Sequence, residues 1–145
     1  MTRAKRLQPV QHLVDDNERR IAQSLAAYER RAAEAEAKLG ELVRYRAEYE
    51  KQFSQRAGHG MGVMELRDYQ AFLTRLSEAI RQQQVLLQRA HVEREAERER
   101  WREAAKRAKA VGHVVEQWQA EDRRMLDRRE QQDSDERAQR KVDRP

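Results

Sequence analysis

Apolar residues recur every three or four positions along most of this chain, and one glycine cluster interrupts them. Before the interruption the stripe runs Val10, Val14, Asn17, Ile21, Leu25, Tyr28, Ala32, Ala35, Leu39, Leu42, Arg46, Tyr49, Phe53. After it the stripe runs Tyr69, Phe72, Leu76, Ala79, Gln83, Leu87, Ala90, Arg94, Glu97, Trp101, Ala104, Ala108, Val111, Val115, Trp118, Asp122, Met125. Steps of three and four keep successive residues on one face of an α-helix, whereas a strand needs alternation. Each stripe holds one four-four step, at Asn17–Ile21–Leu25 and around Gln83, and such a stutter locally unwinds a supercoil.

The interruption is Gly58-His59-Gly60-Met61-Gly62. Glycine tolerates the positive backbone angles that a reversal needs, so the bend falls here. The predicted fold is all-α: two long helices in an antiparallel coiled-coil hairpin, the C-terminal helix longer than the N-terminal one. As a single domain, 1–145, it divides into a helix over about 8–54, a bend over about 55–63, a helix over about 64–128 and a frayed charged tail over about 129–145. Folding near residue 60 pairs positions whose numbers sum to about 120. Tyr49 then meets Phe72, Leu42 meets Ala79, Ile21 lies near Trp101 and Val10 near Val111. Pro9 suits the first turn of the first helix, where its missing N–H costs nothing. Beyond about Trp118 the second helix has no partner; the paired rod is roughly 70 Å long, with roughly 20–30 Å of single helix beyond it.

Composition narrows the function. Charged residues are 39% of the chain and hydrophobic ones 38%, a long-helix composition rather than that of a thick globular core. Without cysteine there is no disulfide framework or thiolate metal site, which suits the cytosol. The basic N-terminus is followed by no apolar run, so no signal peptide is expected. No stretch approaches the roughly 18 apolar residues of a membrane span. The run from Glu93 to Arg102, nearly all charge, reads as a solvated face with weak glutamate–arginine pairs.

Candidate chemistry is sparse. His12, His59, His91 and His113 have no ligand spacing, and no phosphate loop, nucleophile elbow or cysteine nucleophile is present. No enzyme, cofactor or metal is expected. The net charge of +5 raises nucleic acid as a partner. Here the arginines are interleaved with glutamates rather than concentrated, so no nucleic acid is expected. Arg3, Lys5 and Arg6 would give only peripheral attachment to an anionic membrane.

The aromatic residues carry more. Tyr45, Tyr49, Phe53, Tyr69 and Phe72 straddle the bend and converge in a hairpin. A two-stranded seam has room for one narrow stripe per helix, and Tyr45 lies one position off it. The ordinary reading is a bulky plug that stabilises the bend. Because the group exceeds the stripe, part of it is expected in water, where exposed tyrosines commonly mark a partner site.

With these residues the chain resembles the flagellar export protein FliJ family. The resemblance rests on Leu39, Leu42, Tyr45, Glu48-Tyr49, the glycine linker, Tyr69-Gln70, Phe72, Leu76, Ala79-Ile80 and Gln82, with Trp101-Arg102-Glu103 in the second helix. It implies a non-enzymatic stalk or adaptor of the flagellar type III export apparatus, cytoplasmic and peripheral to the inner membrane at the flagellar base. The implied partners are the hexameric export ATPase FliI, the cytoplasmic domain of the export-gate protein FlhA and unloaded export chaperones. The gate-contact set carries over to Leu42, Tyr45, Tyr49, Phe72, Leu76 and Ala79. Lys38 and Gln83 depart from that pattern, where a glutamine and a histidine would be expected. Apolar residues persist past the partner helix, so Leu7, Val10, Leu13 and Val14 with Trp118, Met125 and Leu126 are the expected ring-facing set. The alternatives are the stalk of a virulence type III injectisome, which shares the fold, and a generic coiled-coil scaffold.

Overall fold

Thr2 starts the first helix. Its hydroxyl accepts a hydrogen bond from the Lys5 amide (3.3 Å) and its carbonyl one from the Arg6 amide (3.1 Å), the arrangement of an N-cap. The computed structural model describes residues 2–143, which form helix α1 (Arg3–Ala57) and helix α2 (Val63–Val142) with no strand among them. At the end of α1 the Gly58, His59 and Gly60 amides turn back onto the carbonyls of Ser54, Arg56 and Ala57. Gly60 takes φ 91°, a left-handed angle that side chains with a Cβ resist. The Gly62 carbonyl then accepts the Leu66 amide, and α2 begins. Arg56 in the last turn of α1 and Glu65 in the first turn of α2 complement the helix dipoles.

By contacts the chain forms two units, Ala22–Arg100, and Met1–Ile21 with Trp101–Pro145. In the first of these the helices pack antiparallel along Leu25, Tyr28, Ala32, Ala35, Leu39, Leu42, Tyr49 and Phe53, all buried or half-buried. Ala32, Leu76 and Ile80 are its most buried apolar residues, at 2–7% exposure. Two polar side chains share that seam, Gln83 and Glu97, both at 5% exposure. The Gln83 amide donates to the Ala35 carbonyl at 3.0 Å, and Glu97 accepts from the Arg100 guanidinium at 3.1 Å. His91 Nδ1 and Arg94 Nε are buried without a hydrogen-bond partner among the described residues. The run from Glu93 to Arg102 is therefore not uniformly solvated; the heptad turns Glu97 inward despite its charge.

In the other unit Ala4, Ala104 and Val115 are buried. The Trp101 indole N–H donates to the Glu18 carboxylate at 2.8 Å, and Arg3 pairs with Glu121 at 2.6 Å while lying over the Trp118 ring at 4.8 Å. Helix α1 thus begins earlier than about residue 8 and finds partners on α2 as far as Glu121 and the half-buried Asp122, past the expected limit near Trp118.

Three further expectations change with this. Pro9 lies inside α1, in its second turn rather than its first, and leaves the Lys5 carbonyl without its i+4 donor. Val10, the expected first seam position, is 42% exposed; the buried face follows Ala4, Leu7, Gln11 and Val14 instead. Met125 is 57% exposed, so the α2 seam ends at Asp122. Helix α2 also continues to Val142, where the sequence suggested an end near 128. From Arg123 to Asp143 every side chain is exposed.

Candidate functional site

The seam pattern brings five aromatic rings from two helices together beside the bend. Tyr49 and Phe53 lie on the α1 seam one turn apart, and Tyr69 and Phe72 on the α2 seam likewise, so the four interleave as the helices pack. Tyr49 stacks at a tilt against Phe72 (4.4 Å between centroids) and Tyr69 (4.9 Å), and Phe53 closes on Tyr69 at 5.2 Å. Tyr45, one position off the stripe, meets Phe72 edge-on at 6.1 Å and Tyr49 at 6.3 Å. Such contacts between rings are worth about 0.5–1.5 kcal/mol each beyond the area they bury.

Exposure separates these rings into two roles. Tyr49, Phe53, Tyr69 and Phe72 are half-buried, whereas Tyr45 is 53% exposed. The rings beneath hold one side of Tyr45 and leave the other in water. Of the other residues expected to contact the gate, Leu42 and Ala79 are half-buried, and Leu76, at 7% exposure, is in the core and offers little surface. Gln83 faces Ala35 in the seam, so the departure noted at that position sits in the core. Lys38 is exposed.

One contributor escaped the sequence reading. The Arg56 guanidinium donates to the Tyr69 hydroxyl at 3.3 Å and pairs with Glu65 at 3.2 Å, tying the end of α1 to the start of α2 beside the cluster. Pairing by a sum near 120 places Arg56 across from Glu65 and could have found it. The hydrogen bond to Tyr69, together with Glu65, raises the Arg56 pKa. The Tyr49 phenol is also raised above its ordinary value, first by desolvation among the rings and then by the neighbouring Tyr69 and Tyr45. Both stay in their ordinary neutral-pH forms, and the cluster presents apolar faces with hydroxyl tips, suited to binding rather than to proton transfer.

The expected ring-facing residues are split by the structure. Leu7, Val14 and Trp118 are half-buried in the seam, while Val10, Leu13 (63%), Met125 (57%) and Leu126 (56%) are exposed. Among the described residues no helix is long and apolar enough to cross a membrane.

Fold and cluster together define a two-helix coiled-coil hairpin that carries a half-exposed aromatic patch beside its bend. The family described as flagellar FliJ protein has a model that matches residues 3–145, and the chain belongs to that family. Membership makes it an export-related flagellar protein of a non-catalytic family. No curated protein and no solved structure matches it.

Proposed function

We propose that this chain is a stalk or adaptor of the flagellar type III export apparatus. In this role it links the hexameric export ATPase to the export gate and handles unloaded export chaperones. The aromatic patch is the gate-binding surface, with Tyr45 at its centre and Leu42, Tyr49, Phe72 and Ala79 around it. Val10, Leu13, Met125 and Leu126 are the exposed residues of the ring-facing set, free to meet the ATPase. The observation that carries the reading is the Tyr45 ring, held edge-on by Phe72 with 53% of the residue in water. A plug that only stabilised the bend would not need a large ring outside the seam. Side chains of this kind, rigid, amphipathic and backed by packed neighbours, are where binding energy concentrates.

The test is Tyr45→Ala, with affinity for the FlhA cytoplasmic domain and thermal melting measured on one sample. Affinity should fall by about 1–2 kcal/mol, roughly 5–30-fold. Melting should fall by only a few degrees, because the ring lies off the seam and folding loses just its edge contacts with Phe72 and Tyr49. A lowered melt with unchanged affinity per folded molecule reduces Tyr45 to a structural plug and rejects the assignment.

A further inference from the structure

A second surface lies on α2, on the side turned away from the seam. Acidic residues number 26 in the chain, yet none occurs from Ala79 to Val92. The charged side chains of that stretch are Arg81 and Arg89, and the polar ones include Gln82, Gln84 and Gln88. Three large apolar residues in it stand in water, Val85 at 52%, Leu86 at 51% and Val92 at 59% exposure.

Helix geometry gathers these into one face. At 100° per residue Arg81, Val85, Arg89 and Val92 project within about 80° of one another, opposite to Leu76, Gln83 and Leu87, and Leu86 borders them. The stutter around Gln83 accounts for Leu86. The spacing Phe72, Ala79, Leu86 continues one heptad position, and the extra four-residue step rotates Leu86 out of the seam while Leu87 takes its place. Arg81 reaches only an exposed, long ion pair with Glu78 at 3.9 Å, and Arg89 is exposed with no ion pair among the described residues.

We propose that this face is a docking site for an acidic amphipathic helix of a partner protein. Val85 and Val92, two turns apart, with Leu86 beside Val85, accept the apolar stripe of such a helix, as in helix-in-groove recognition. The two guanidiniums beside them, with Glu78 at the edge of the face held only loosely by Arg81, select acidic flanks and penalise basic ones. An anionic membrane is disfavoured, because stable attachment takes clusters of about four to eight basic residues. Contact between two copies is disfavoured as well, because like-charged arginines would face each other across it. The site is separate from the Tyr45 patch and does not rest on it.

The probes are two fluorescent synthetic helices with the same leucine stripe, one flanked by glutamate and one by lysine, titrated into the full chain by anisotropy. The glutamate peptide should bind with a Kd on the order of 10 µM, and the lysine peptide at least about tenfold more weakly. Val85→Ser with Leu86→Ser should weaken the glutamate peptide about tenfold or more without changing the helical circular dichroism, since both side chains face water. Arg81→Gln with Arg89→Gln should weaken it several-fold and flatten its salt dependence. Tyr45→Ala should leave this affinity unchanged, which separates the site from the gate-binding reading. Equal binding of both peptides, or affinity indifferent to these substitutions, overturns the proposal. So does a concentration-dependent dimer abolished by the serine pair, or binding to phosphatidylserine vesicles without peptide binding.

Discussion

Alanine should stabilise the protein at Gly40 and destabilise it at Gly60. Gly40 is inside α1, has no positive φ, and an added Cβ there meets nothing within 4 Å. Alanine removes the entropy penalty of glycine in a helix interior, worth roughly 0.5–1 kcal/mol. Gly60 also has open space around a built Cβ, but its φ is 91°. There the penalty comes from the backbone alone, roughly 1–2 kcal/mol for a side chain in a left-handed conformation. For a chain of this length the unfolding entropy is on the order of 300 cal/mol/K, so 1 kcal/mol moves Tm by about 3 °C. Gly40→Ala should therefore raise Tm by about 2–3 °C and Gly60→Ala lower it by about 3–6 °C. Thermal melts followed at 222 nm, with urea titrations for the free energies, read both shifts. The double variant should show their sum within about 0.5 kcal/mol, because the two sites share no contacts. A Gly60→Ala protein as stable as the wild type would refute the placement of the reversal at that residue. A loss at Gly40 would mean that its helix face is occupied rather than open.

Two other outcomes are expected. The Tyr49 phenol has a raised pKa in the folded state, so folding favours its neutral form; that stability is complete below the ordinary tyrosine value of 10.0 and is lost as pH rises through the folded one. Tm should fall more steeply above that pH in the wild type than in Tyr49→Phe, and parallel curves would discount the desolvation. Truncation after Asp122 keeps the Arg3–Glu121 pair and removes Met125 and Leu126, so melting should change little; under the proposed function, stimulation of the export ATPase should fall, and full stimulation would remove α2 beyond Asp122 from the ring-facing set.

The periodicity of the chain determined the helices, the bend and nearly the whole seam. Every α1 stripe position from Val14 to Phe53, and every α2 position from Tyr69 to Asp122, is buried or half-buried. Helix hydrogen bonds are local and the heptad is an angular rule, so a single chain suffices to say which residues face a partner helix. Pairing about the glycine cluster followed from counting, and Tyr49 does meet Phe72.

Tertiary packing decided the rest. Pro9 looked like a helix start because proline favours the first turn, yet α1 reaches back to Arg3, where pairing with Glu121 and Trp118 supplies contacts that local propensity cannot foresee. Leu76 and Tyr45 stood together in the candidate surface, and only the approach of the facing helix put one in the core and left the other in water. Gln83 and Glu97 kept seam positions against their polarity because hydrogen bonds to Ala35 and Arg100 satisfy them there. An angular pattern assigns a side chain its direction. Whether that direction ends in water depends on how near the second helix comes and on which groups it offers, and both are properties of the folded pair.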